Sequence, residues 1–175
     1  EFGREAGALL QQAPAAPAAP PLLYLLSALA VEEKAWPRAK DLTLRLVTDH
    51  SGSEEADDSL SRLGSGAGAA AQWGLAREAW ELLLVRYPQS PFRDDARVGL
   101  GEALLRLGAV TEARKLLETA VAAIPSDPRL PQALLLLAQS REATGDRAGA
   151  IEGYDRIARE FPDADIATAA RLGQG

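Results

Sequence analysis

The residues of this chain that could do chemistry are few, and their types and spacing leave little for them to do. His50 is the only histidine and there is no cysteine. A two-histidine metal site, a thiolate site and a cysteine nucleophile are all excluded, and most acid–base pairs lack a partner. Gly64-Ser65-Gly66-Ala67-Gly68 has the look of a phosphate-cradling loop, yet no Lys-Ser/Thr pair follows it, and the register described below puts it inside a helix. Glu54, Glu55, Asp57 and Asp58 form an acidic run suited to the positive end of a helix dipole. No catalytic residue, metal ligand or cofactor is expected, and the chain reads as a non-enzyme. The net charge of −6 tells against nucleic acid, which needs clustered Lys and Arg to neutralise phosphates.

The elements that carry these residues follow from a repeat. Ala39, Ala76, Ala113 and Ala150 stand 37 residues apart, and self-similarity at such a period means stacked supersecondary units. Four residues after each alanine comes Thr43, Trp80, Leu117 or Tyr154, and three further on Leu46, Leu83, Ala120 or Ile157. Offsets of three, four and seven place these on one helical face. Leu26, Leu63, Leu100 and Leu137 keep the same spacing, each followed by a small residue (Ser27, Gly64, Gly101, Ala138) that lets a neighbouring helix approach closely. Gly108 and Gly145 sit where a first helix must stop. Ser53, Ser90 and Asp127 read as N-caps, with Pro91 and Pro128 at the first helical position. Each unit is therefore two antiparallel helices, A and B. His50 shares a column with Tyr87, Ile124 and Phe161, and is expected to pack as a flat ring at the end of helix B. Trp73 and Trp80 are expected in the core.

These columns resemble the tetratricopeptide repeat, whose fingerprint is W-x2-L-G-x2-Y, then A-x3-F, then P. One unit carries Leu60-x2-Leu63-Gly64-x2-Ala67, then Ala76-x3-Trp80, then Pro88; the next carries Arg97-x2-Leu100-Gly101-x2-Leu104, then Ala113-x3-Leu117, then Pro125. Arg97, Arg141 and Lys34 depart from the pattern. The resemblance implies an all-α fold, a right-handed α-solenoid of antiparallel helix pairs. The whole chain, 1–175, reads as one array. Repeats cover 17–52, 53–89, 90–126 and 127–163; 1–16 is a helix-B remnant with an Ala/Pro connection, and 164–175 an incomplete or capping helix. By composition alone Ala13 to Pro21 would read as a linker; the register makes it partly an in-phase connection. Tyr87-Pro88-Gln89-Ser90-Pro91, with Asp95-Ala96 and Gly99-Leu100-Gly101-Glu102-Ala103, is similar to repeats of bacterial envelope proteins. Examples are the periplasmic coordinator of the Tol-Pal system and the lipoprotein partner of the outer-membrane β-barrel assembly machine.

In that family the A helices line a concave groove that holds a partner peptide or helix. By register, the corresponding positions here are Tyr24, Asp58, Ser61, Asp95, Val98, Glu102, Leu105, Gln132, Leu135, Gln139 and Glu142. Asp58, Asp95, Glu102 and Glu142 make the set acidic, so the partner is expected to be a neutral or basic protein segment. The resemblance implies a non-catalytic interaction scaffold in a bacterial envelope assembly, at the periplasm or the periplasmic face of the outer membrane. The alternative is a regulatory module of a larger envelope protein that activates a cell-wall synthesis enzyme. The longest apolar run, Pro20–Val31, is interrupted by Ser27 and too short to span a bilayer. No basic n-region with a cleavage site is seen, so any signal peptide or lipid anchor is expected outside these residues, and both ends read as cut from a longer array or as atypical caps.

Overall fold

The computed structural model describes residues 18–162, and the proposed remnant at 1–16 and final helix at 164–175 lie outside the described residues. Those described form eight helices and no strand. The A helices are α1 (Ala19–Glu32), α3 (Glu55–Ala69), α5 (Arg93–Arg106) and α7 (Leu130–Ala143). The B helices are α2 (Trp36–Asp49), α4 (Trp73–Arg86), α6 (Val110–Ala123) and α8 (Arg147–Glu160). The all-α class and the alternation of A and B helices are those the repeat predicts. The helices fall into two compact units that divide between Arg93 and Asp94, and each is described by itself.

Four equivalent turns set the register. Lys34, Ala71, Gly108 and Gly145, one per repeat, all have positive φ, at 56°, 57°, 81° and 81°. At each, the next residue's N–H reaches back five residues: Ala35 to the Ala30 carbonyl at 2.8 Å, Gln72 to Ala67 at 2.8 Å, Ala109 to Leu104 at 2.9 Å and Asp146 to Arg141 at 2.9 Å. This is the left-handed cap that ends a helix and satisfies its last carbonyls. Glycine adopts it without strain; Lys34 and Ala71 hold it against their Cβ. Helix B starts directly after the turn, and only Asp146 caps it with a side chain, accepting from the Gly149 N–H at 3.0 Å.

The A helices begin later than their sequence signals suggest. Ser90 Oγ accepts from Phe92 N–H at 3.1 Å and Asp127 Oδ1 from Arg129 N–H at 2.9 Å, while their carbonyls accept from Arg93 and Leu130. The two residues therefore close a turn ahead of α5 and α7 instead of capping the helix itself, and Pro91 and Pro128 sit in that turn. Ser53 closes the same backbone turn to Ala56, but its hydroxyl is buried without a partner. The Ala/Pro stretch is helical from Ala19, with prolines in the first turn of α1, where a missing N–H costs nothing.

Packing follows the columns. Ala39, Ala76, Ala113 and Ala150 are at most 2% exposed, and Leu26, Leu63, Leu100 and Leu137 at most 7%. Burying each leucine is worth about 1.5–3 kcal/mol. The small residue beside each leucine is a socket. A Cβ built on Gly64 would lie 2.5 Å from Trp80, and one on Gly101 would lie 2.6 Å from Leu117. In the last repeat the small partners are reversed, with Gly153 against Ala138. The glycine-rich segment thus lies inside α3, where Gly66 meets Val31 in the same way. Trp80 is core at 4% exposed. Trp73 is only half-buried, because it opens α4 beside the turn instead of lying along its packed face; Trp36 does the same in α2. His50, Tyr87, Ile124 and Phe161 all end their B helices in one shared backbone conformation, with φ between −123° and −135° and ψ between 41° and 61°.

Candidate partner-binding face

In the first unit, the A-helix face is made by α1 and α3. Tyr24 is half-buried on α1, and Arg62 of α3 lies over its ring, 5.6 Å from the centroid. The Arg62 Nε–H also donates to the Tyr24 hydroxyl at 3.3 Å, and its guanidinium is 3.8 Å from Glu32. Cation–π contact and an ion pair thus hold one arginine across the two helices. Asp58 stands in the first turn of α3, half-buried, with no ion-pair partner among the described residues. Residues 58, 61, 62 and 65 share one face of α3 by their spacing. With Val31, Glu32 and Gly66 they line a pocket of about 430 Å³. Ser61 is only 8% exposed, so it forms the floor. Two carboxylates, Glu32 and Asp58, face one arginine, which leaves the pocket with an excess negative charge.

The second unit is different. Arg129, in the turn before α7, bonds both oxygens of Asp127 at 2.6 Å and Asp95 Oδ2 at 2.6 Å. This contact, with the Arg129 N–H, holds the Asp127 carboxyl well below its usual range, at about 2. Glu102 takes a long hydrogen bond from Gln132 at 3.4 Å and lies 3.6 Å from Arg106. Glu142 accepts the Tyr154 hydroxyl at 2.9 Å; burial first, and then this bond, pushes that phenol up to about 12. Val98 is 4% exposed and belongs to the core under this face, so the apolar contact there falls to Leu105 and Leu135, both half-buried. Gln139 is half-buried and Gln132 exposed. The expected acidic stripe is therefore largely engaged in the second unit: Asp95 and Glu102 have arginine partners and Glu142 accepts from Tyr154, and of the four only Asp58, in the first unit, has neither an ion pair nor a hydrogen bond to its carboxylate among the described residues.

Sequence reasoning missed Arg62, Arg129 and Tyr154 as parts of this face. Arg62 was accessible in principle, four residues after Asp58 on one helix face. Arg129 gives no such signal, because its partner Asp95 is 34 positions away. Among the described residues no group of histidines or carboxylates could hold a metal ion, and no helix is long and apolar enough to cross a membrane.

Helix pairs of fixed length, closed by identical left-handed turns and socketed small-against-large, define a helical-hairpin repeat protein with side chains displayed on its A helices. The chain belongs to the tetratricopeptide repeat family: models of that family match residues 69–131 and 132–164, together more than half of it. Such repeats serve as protein–protein interaction scaffolds. Solved structures share the fold at low identity. A tetratricopeptide repeat protein from Parabacteroides merdae is similar at a TM-score of 0.72 and 15% identity, over 99% of this chain and 66% of that one. YrrB, described as a tetratricopeptide repeat protein with an unusual peptide-binding site, has a TM-score of 0.66 and 21% identity, over 89% and 75%. TTC0263 of Thermus thermophilus has a TM-score of 0.59 and 16% identity, over 98% and 88%. Among curated protein sequences there is no match.

Proposed function

We propose that this chain is a non-catalytic scaffold that holds a partner's peptide or helix on its A-helix faces, and that the first unit takes a basic side chain of that partner. One observation carries the reading: Asp58 stands without a counter-ion beside Glu32, in a pocket whose single cation is already engaged by Tyr24 and Glu32. A lysine or arginine entering there gains a charge-assisted bond and restores neutrality. The second unit, with its carboxylates held and its glutamines and leucines half open, suits a neutral stretch.

Fluorescence anisotropy with peptides that differ only in a central Lys, Gln or Glu tests this. The lysine peptide should bind tightest. Asp58→Asn should weaken it about three- to tenfold, and Lys115→Glu on helix α6 should leave it unchanged. Equal binding of the three peptides would remove the basic-site reading.

The same proposal places the protein in a bacterial cell envelope, at the periplasm or the periplasmic face of the outer membrane. Its support is the likeness of Tyr87-Pro88-Gln89-Ser90-Pro91 and the residues after it to envelope repeats. A phosphatase fusion to the full gene product, active only outside the cytoplasm, would test it; an inactive but abundant fusion would refute it.

A further inference from the structure

Asp58 has a residue of opposite charge one helical turn away and does not pair with it. Arg62 stands four residues on along α3, and at that spacing two side chains share a helix face, with Cβ atoms about 5–6 Å apart. An acid placed one turn before a base is also the favourable order for such a pair. Elsewhere the chain closes pairs of this spacing: Arg77 with Glu81 at 2.7 Å, Glu102 with Arg106 at 3.6 Å, Arg114 with Glu118 at 3.1 Å and Arg156 with Glu160 at 3.1 Å. Arg62 turns to α1 instead.

What draws it there is chiefly Tyr24. The Glu32 contact is long, 3.8 Å, between side chains 41% and 74% exposed, and an ion pair so open to water contributes little. Tyr24 offers the face of its ring at 5.6 Å and its hydroxyl at 3.3 Å. A guanidinium is weakly hydrated and sits readily over such a face.

The other repeats show what this arrangement replaces. Asp95 holds the Asp58 position one repeat on; four residues after it comes Gly99, and Arg129 closes it from the turn before α7. The position of Arg129 one repeat earlier holds Phe92, which carries no charge. Arg62 is thus the cation of the pocket placed to close Asp58. Tyr24 stands in a column that otherwise holds Ser61, Val98 and Leu135, none of which has an aromatic face to hold it.

We propose that Tyr24 is a positioning residue: it holds Arg62 against α1 and so leaves the Asp58 carboxylate open to a partner's basic side chain, a role that rests on the peptide-binding reading above. Without the ring, Arg62 divides between Glu32 and Asp58. The site is then open in only a fraction of molecules, and apparent affinity falls in proportion.

Tyr24→Leu tests this while keeping apolar volume, since the same column carries Leu135. In the anisotropy assay it should bind the central-lysine peptide about threefold more weakly than the wild type. Tyr24→Phe keeps the ring face and should stay within about twofold. In an Arg62→Gln background Tyr24→Leu should change nothing, because no cation is left to hold. The same loss in that background would mean that Tyr24 touches the peptide directly, and no loss in either background would mean that the ring holds nothing; both overturn the role. NMR of the free protein supplies a readout without peptide. Asp58→Asn should leave the Arg62 Nε–H resonance in place in the wild type and shift it in Tyr24→Leu. A shift already present in the wild type, or absent from both, overturns the role as well. A lysine peptide that binds no tighter than the glutamine peptide, with the resonance behaving as expected, would instead remove the peptide reading and leave the hold of Tyr24 on Arg62 standing.

Discussion

Adding one methyl group to either of two glycines of α3 should move stability in opposite directions. A Cβ at Gly64 would lie 2.5, 2.7 and 2.9 Å from three indole carbons of Trp80, whereas at Gly68 the nearest atom is Trp73 at 3.9 Å. Carbon atoms in contact prefer about 3.5–4.0 Å, so the indole must retreat by about 1 Å. Trp80 is 4% exposed and wedged between helices, so it cannot swing into solvent. Overpacking of this kind costs about 1–3 kcal/mol, against a gain of about 0.5–1 kcal/mol when alanine replaces a helical glycine. Gly64→Ala should therefore lose about 0.5–2 kcal/mol, and Gly68→Ala should gain about 0.5–1 kcal/mol. Urea unfolding followed by tryptophan fluorescence reads the first unit directly, since Trp36, Trp73 and Trp80 all lie in it. If Gly64→Ala proves at least as stable as Gly68→Ala, the socket is not tight and the account of repeat packing is wrong.

Ala71→Gly should stabilise the first unit by about 0.5–1 kcal/mol and Gly108→Ala should destabilise the second by about 1–2 kcal/mol, because both sites hold positive φ; thermal midpoints of the two variants check this. Leu100→Ala should cost about 2–5 kcal/mol, since Leu100 is 7% exposed beside the Gly101 socket; a loss below about 0.5 kcal/mol would put that column on the surface. The Asp127 carboxyl titrates lower in the folded state than its ordinary value of 3.8. Its contribution is complete above that value and is lost as pH falls through about 2. Arg129→Ala should flatten stability against pH in that acid window, measured by urea midpoints at successive pH values. The Tyr154 phenol shifts the other way, to about 12, so the stability it contributes is full below 10 and fades as pH rises toward 12. Tyr154→Phe should remove that alkaline loss.

Much of the architecture was legible in the order of residues alone. A strict period of 37 places the starts of α2, α4, α6 and α8 at Trp36, Trp73, Val110 and Arg147, and the spacing of the buried alanines and leucines names the packed faces. Local chemistry suffices for this, because a helical period, a left-handed turn and a small-residue socket are each read within a few residues. The position of Lys34 in the glycine column looked like a departure from the pattern, yet the turn imposes the same backbone on it. The starts of the A helices were less legible: Ser90 and Asp127 are turn-forming residues whichever side of the helix boundary they occupy.

Only the packed structure decided which charges on the A-helix face remain to meet a partner. Asp58, Asp95, Glu102 and Glu142 are alike in the sequence, four carboxylates in matching repeats. Arg129 reaches Asp95 from 34 residues away, Arg62 reaches Tyr24 from 38, and Lys40 reaches Glu78 from 38. Such pairs depend on how neighbouring helices are set and on how far a long side chain extends from each, and no periodicity encodes that. The buried state of Thr43 has the same origin. A threonine in place of tryptophan, leucine or tyrosine is visible in the column; that it is fully buried with an unpaired hydroxyl depends on where the neighbouring helices come to rest.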